Sequence, residues 1–240
     1  MASSPLFDQL RRSAPLVTVG MLTADLMSLG SDMAILEAAG VSLVHFDVMD
    51  GCFCPMMTVG PPVVKAMKTR LFKDVHLMIQ EPLEKVESYV AAGADLITFH
   101  VESCIHPHRV LQALGKMKNA NDPERGLLRG IALNPGTPLE TIPPLIDDLE
   151  MIFLLAVNPG WGGQKFIPST AARLAKVKDM IGASGRQILL GIDGGVTREN
   201  VEEVVRMGPD IIVTGSAVFD GKAPADNARF MMQAMKKNAR

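Results

Sequence analysis

Eight short runs rich in apolar and β-branched residues recur along the chain, at 16–22, 43–49, 73–78, 96–102, 128–133, 151–157, 187–193 and 211–217, with starts 23 to 36 residues apart. Near-continuous apolar runs are strands covered on both faces, which is the condition of a parallel sheet. Parallel strands need long crossovers, and the intervals carry helical patterns for them at 25–39, 82–92, 107–118, 169–181 and 198–207. Strand and helix are thus expected to alternate throughout. Eight such units in 240 residues is the count that closes a (β/α)8 TIM barrel; an open doubly wound sheet is the alternative.

A single barrel domain over 1–240 is expected, with 1–15 as an N-terminal extension, because no Gly/Ser or Pro-rich linker divides the chain. The one long polar connection, 118–129 with Asn121-Asp122-Pro123, reads as an enlarged loop. Apolar residues make up 48% of the chain, enough for a full core. The 24 basic and 26 acidic residues form no basic block, so nucleic acid is not an expected partner. Residues 1–15 include Asp8, Arg11 and Arg12, and no apolar stretch reaches the roughly 18 residues of a membrane span, so neither secretion nor membrane insertion is expected. Cys52, Cys54 and Cys104 are odd in number and lack paired C-x-x-C spacing, which fits a reducing cytoplasm. A homo-oligomer is the expected assembly.

In a barrel the active site lies at the C-terminal strand ends, so polar residues there call for an explanation. The second run ends His45-Phe46-Asp47-Val48-Met49-Asp50, the third Asp74-Val75-His76-Leu77-Met78, and the seventh Gly191-Ile192-Asp193-Gly194-Gly195. Strand side chains alternate, so His45 and Asp47 project to one side. Two histidines and two carboxylates converging on one mouth suit a single borderline divalent cation, Zn, Fe, Mn or Co, better than the all-oxygen shells of Ca or Mg. His100 and Glu102 share that alternation as outer partners of the set or as plain barrel lining, whereas His106 and His108 sit at a helix start in a surface or capping role.

Glycine clusters follow the last three runs: Asn158-Pro159-Gly160-Trp161-Gly162-Gly163-Gln164, Asp193-Gly194-Gly195 and Gly215-Ser216. Glycine lets backbone N–H groups approach an anion closely, and loops after strands six to eight are the recurrent phosphate site of barrel enzymes. The expected ligand is therefore a phosphorylated small molecule.

These segments, with Gly60-Pro61-Pro62-Val63-Val64 and Asn134-Pro135-Gly136-Thr137-Pro138, occur in the order of the ribulose-phosphate 3-epimerase family, which the chain resembles from about Val17 to Phe219. The resemblance implies that His45, Asp47, His76 and Asp193 hold one divalent metal ion, with Asp47 and Asp193 also the two acid/base groups of a C3 epimerisation. It implies that Gly160, Trp161, Gly162, Gly163, Gly194, Gly195, Gly215 and Ser216 bind the phosphate of a ketose phosphate, that His76 also faces the substrate, and that Met49 and Met78 line the site. D-ribulose 5-phosphate is the implied substrate. The chain departs from the family where Gly20 replaces a serine whose hydroxyl touches substrate, where Met56 replaces an asparagine, where Leu155 replaces a methionine, and in the longer 118–129 connection. Gly20 thereby keeps open another ketose phosphate, such as allulose 6-phosphate. A metal-independent decarboxylase of the orotidine-phosphate type would carry Asp-x-Lys where this chain has Asp74-Val75-His76, and a non-catalytic phosphosugar-binding barrel would be expected to have lost ligands that are all present here.

Overall fold

All eight runs are strands in the computed structural model, which describes residues 4–238. They are β1 (Leu16–Gly20), β2 (Leu43–Met49), β3 (Phe72–Met78), β4 (Leu96–His100), β5 (Leu128–Leu133), β6 (Met151–Leu155), β7 (Leu189–Asp193) and β8 (Ile211–Thr214). Each pairs in parallel with the next, and β8 pairs with β1, closing an eight-stranded TIM barrel. Several runs outlast their strands: residues 21–23 and 101–103 are 3-10 turns, and residues 156–157 and 215–217 have left the sheet. Apolar character persists there because the loops at the mouth are themselves packed; Met21, Val101, Ala156 and Ala217 are all buried.

The helices are α1 (Pro5–Ser13), α2 (Leu29–Ala39), α3 (Pro61–Ala66), α4 (Val86–Ala91), α5 (Pro107–Leu114), α6 (Thr170–Ser184), α7 (Val201–Arg206) and α8 (Pro224–Asn238). Strict alternation of strand and α-helix fails once. Between β5 and β6 there are only 3-10 turns, Leu139–Thr141 and Pro143–Asp148, where Pro138, Pro143 and Pro144 remove the N–H groups an α-helix would need. No helix among the described residues is long and apolar enough to cross a membrane.

Period-2 alternation sorts the strand residues into two cores. Phe46, Val48, Val75, Leu77, Ile97, Phe99, Ile152 and Ile192 point outward and pack with the helices. Leu43, Leu96, Leu128, Met151, Phe153, Leu189 and Ile211 fill the barrel together with Leu6, Phe7 and Leu10 of α1. Helix α1 begins at Pro5, with Ser4 as N-cap accepting a hydrogen bond from Phe7 N, and carries Arg11 and Arg12 in its last turn. It belongs to the segment expected as an N-terminal extension, of which residues 1–3 lie outside the described residues. The 118–129 connection also lies at this end. Asn119 donates to Asp95 and to Gly126 O, and Arg125 O accepts from Leu6 N. The connection is therefore remote from the opposite, C-terminal mouth.

One close approach supports the floor of that mouth. A Cβ on Gly191 would lie 2.2 Å from the Phe153 ring, so only glycine lets that ring cross the barrel. The ring then packs edge-on against His45, with centroids 5.9 Å apart, and stacks nearly parallel to His76 at 6.3 Å.

Candidate active site

Strands β2 and β3 pair with His45 opposite Asp74 and Asp47 opposite His76. All four residues alternate into the barrel, so the register itself builds the site. His45 Nδ1 lies 2.7 Å from Asp74 Oδ2. An ionised carboxylate can only accept, so Nδ1 donates and Nε2 turns toward the mouth. His76 is held by its other edge: Nε2 is 2.9 Å from His100 Nε2, and His100 Nδ1 is 3.1 Å from Glu102 Oε2. His76 Nδ1 is therefore the atom left facing the mouth.

His45 Nε2 is 3.4 Å from Asp47 Oδ1 and 3.8 Å from Asp193 Oδ2, while His76 Nδ1 is 3.7 Å and 3.2 Å from the same two atoms. One ligand atom from each of the four residues lies within 4.8 Å of all the others. His45 Nε2 and His76 Nδ1 are buried without a hydrogen-bond partner. Buried polar atoms are ordinarily paired, and two bare imidazole nitrogens facing two carboxylates form the donor set of a borderline divalent cation. The residues fit such an ion. Asp74 carries no signal of its own in the sequence; its role is legible only once the β2–β3 register is known, because only the register sets it opposite His45.

The charges agree with this fit. Burial works against a charged His45, but Asp74 and then Asp47 outweigh it and hold its pKa well above the usual imidazole value. Burial likewise opposes charge on His76, and the facing carboxylates of Asp193 and Asp47 raise its pKa nonetheless. Burial resists ionisation of Asp47, yet His45 and His76 keep its carboxyl below the usual range. A divalent ion would take the place of positive charge beside these carboxylates, and any proton on a ligand nitrogen would leave on binding. His100 differs, since burial brings it down to about 4 and it stays neutral.

Above these residues opens a cavity of about 140 Å³, lined by Gly20, Asp47, Met49, Met78, Gly160, Trp161, Gly162, Asp193, Gly194, Gly195, Gly215 and Ser216, with Leu22, Leu155 and Val157 as further apolar lining. Gly163 is not part of the lining, and His45 and His76 lie wholly buried beneath it. No Lys or Arg among the described residues lines it, so an anion here would rely on N–H groups. Val218 N and Phe219 N both donate to Gly215 O at 2.9 Å, forming a single helical turn. The N–H groups of Ser216 and Ala217 at its start have no carbonyl ahead of them within that turn. Across the cavity, Gln164 Nε2 donates to the carbonyls of Asn158 and Trp161, and its Oε1 accepts from Asn158 N, which fixes the glycine loop after β6.

Gly195 has φ +67°, and a Cβ there would lie 2.6 Å from Phe166 N and 2.8 Å from Phe166 Cα. Backbone cannot step aside as a side chain can. Gly195→Ala is therefore expected to lower unfolding free energy by about 1–3 kcal/mol, read as a lower denaturant midpoint at unchanged slope. Gly20 is different: a Cβ would meet Gly215 Cα at 3.6 Å and Asp47 Oδ2 at 3.8 Å, ordinary contacts, with no positive φ. A serine would fit. Met56 lines a side groove with Leu26, Met57 and Met67 rather than the mouth.

Residues 16–219 match the model of the family described as "Ribulose-phosphate 3 epimerase family". The chain is 40% identical over 206 residues to ribulose-phosphate 3-epimerase of Bacillus subtilis strain 168, covering 85% of this chain and 91% of that protein. It is 42% identical over 208 residues to ribulose-phosphate 3-epimerase of Escherichia coli strain K12, covering 85% and 89%. Among solved structures, 3-hexulose-6-phosphate synthase from Salmonella typhimurium superposes with a TM-score of 0.66 at 16% identity over 93% of this chain and 99% of that one, a likeness of fold.

Proposed function

The chain belongs to the ribulose-phosphate 3-epimerase family, and we propose that it inverts C3 of a ketose phosphate, converting D-ribulose 5-phosphate to D-xylulose 5-phosphate, through two-base proton transfer. It is an epimerase, of the isomerase class. One observation carries the mechanism: Asp47 on β2 and Asp193 on β7 bring carboxylates from different sides of the barrel to the same cavity.

The C3 proton of a 2-ketose is acidified by the neighbouring carbonyl, and its removal leaves a planar enediolate. Inversion requires the proton to leave one face and a proton to arrive at the other. In this reading one of Asp47 and Asp193 removes the proton and the other supplies one, and the roles exchange with direction. His45, Asp47, His76 and Asp193 would hold one divalent ion, Zn, Fe, Mn or Co, which when bound stabilises negative charge developing on the substrate oxygens. Met49, Met78 and Leu155 bring no exchangeable proton near the intermediate, so the carboxylates govern where the proton goes. Gly160, Trp161, Gly162, Gly194, Gly195, Gly215 and Ser216 would anchor the phosphate so that C3 lies between the bases, with Gly163 set back from the lining. The open turn at Gly215 supports that anchor. His76, lying under the cavity floor, would act on substrate through the ion site. A cytoplasmic homo-oligomer completes the reading, supported by three unpaired cysteines and by exposed Leu26 and Met57 on the side groove.

The test is an assay of pentulose and hexulose phosphates for C3 epimerisation; turnover of none of them would leave only a binding barrel. The space at Gly20 favours one variant of this reading, in which a bulkier ketose phosphate such as allulose 6-phosphate is preferred. Gly20→Ser is expected to fold unchanged and to raise kcat/KM for ribulose 5-phosphate by up to roughly tenfold, the worth of one net hydrogen bond of about 0.5–1.5 kcal/mol. An altered preference is excluded when ribulose 5-phosphate is already the fastest substrate and the serine leaves that ranking unchanged.

A further inference from the structure

The Asn134-Pro135-Gly136-Thr137 segment after β5 is assigned no part in the phosphate site or the proton transfers, yet it touches a chain of side chains that ends at His76. Asn134 N donates to Glu102 Oε1 at 2.8 Å, and the Thr137 hydroxyl donates to the same oxygen. Glu102 Oε2 faces His100 Nδ1, and His100 Nε2 faces His76 Nε2. His76 and His100 are fully buried, with stacked rings 5.0 Å apart, and Phe53 covers His100 with centroids 4.7 Å apart.

Each link has only one polarity that satisfies it. A backbone N–H can only donate, so Oε1 is committed to accepting from Asn134. Oε2 belongs to the same carboxylate and must also accept, so His100 Nδ1 is a donor. Neutral imidazole carries one N–H, which leaves His100 Nε2 an acceptor and makes His76 Nε2 the donor. His76 Nδ1 is then bare.

We infer that Asn134, Thr137, Glu102 and His100 form a one-way hydrogen-bond relay that keeps the lone pair of His76 Nδ1 pointed at the ion site, so that Glu102 and His100 are positioning residues for a metal they do not touch. The inference rests on the ion-site reading above. It assigns the 134–137 segment the task of fixing the direction of the relay.

Glu102→Gln tests it with almost no change in shape. The amide oxygen must stay with Asn134 N–H, so the –NH2 group turns to His100 Nδ1. Two donors cannot face each other. His100 satisfies the new contact only by moving its proton to Nε2, which in turn displaces the His76 proton onto Nδ1, the ligand atom. Zinc affinity, measured by chelator competition on protein stripped and reloaded with Zn²⁺, should fall about 10–100-fold, the scale of outer-shell changes at metal sites. His100→Gln keeps an acceptor toward His76 and a donor toward Glu102, and should stay within about threefold of the unsubstituted protein; His100→Leu, which has no acceptor, should fall with Glu102→Gln. Thermal melts of the metal-free variants check folding.

Should Glu102→Gln fail to fold, ¹⁵N NMR of the zinc-loaded unsubstituted protein still decides the matter. The relay requires the His100 proton on Nδ1, and finding it on Nε2 overturns the inference. Unchanged zinc affinity in a folded Glu102→Gln variant overturns it too, while leaving the four-residue ion site intact. Failure of the unsubstituted protein to bind zinc removes the ion-site reading itself, and the relay with it.

Discussion

Asp47→Asn and Asp193→Asn are each expected to lower turnover of ribulose 5-phosphate by at least about 100-fold, the ordinary scale of general acid–base catalysis. Asparagine keeps the shape and removes the base. Because both carboxylates also belong to the proposed ion site, loss of turnover alone would not separate proton transfer from ion binding. The separation comes from exchange. With one base deleted, the surviving base can still remove the C3 proton from the epimer whose hydrogen faces it and return a solvent proton to the same face. In D₂O, one metal-saturated variant should therefore exchange C3 of ribulose 5-phosphate and the other C3 of xylulose 5-phosphate, with neither inverting it. The unsubstituted protein should place deuterium at C3 of its product. Product free of solvent deuterium, or two variants exchanging the same epimer, would sink the two-base mechanism.

How far the residues alone reach is visible at particular positions. Alternation along each strand is a local property, and it correctly sends Phe46 and Val48 outward into the helix layer. Cross-strand register is not local. The pairing of His45 with Asp74 depends on how β2 slides against β3, and nothing within either strand states it. For that reason nothing in its own strand singles out Asp74, and the His100–Glu102 pair reads there equally as an outer partner and as plain lining. Helix α1 shows a different limit: its nine residues are too few for a firm helical period, and what makes it necessary is the open bottom of the barrel, which exists only after the strands close. The glycines divide likewise. Gly195 is demanded by the Phe166 backbone folding back over it, a contact between loops distant from one another in sequence, whereas Gly20 fills no such need. Gly20 therefore answers to no need of the fold and bears only on what the cavity holds.

His76→Ala should empty the ion site. Protein purified without chelator is expected to carry close to one equivalent of transition metal, and the variant much less, with an affinity loss exceeding the roughly 10–100-fold typical of outer-shell changes because a ligand itself is gone. His76 is the better choice than His45 for this test. Removing His45 would leave Asp74, which is completely buried, without the Nδ1–H it now receives at 2.7 Å, and an uncompensated buried carboxylate destabilises the whole barrel. Removing His76 leaves only the neutral His100 nitrogen without its donor, a cost of about 1–3 kcal/mol, plus the void of one ring beside Phe153. The melting temperature should therefore fall while the far-UV spectrum of the barrel persists. Metal content unchanged in a folded His76→Ala protein would rule out His76 as a ligand and, with it, the reason for its Nδ1 to lie bare within 3.2 Å of Asp193. Metal lost from His76→Ala but restored to near one equivalent by raising free Zn²⁺ would instead place the remaining three residues as a weaker site, as expected when one of four ligands is removed and three stay in register.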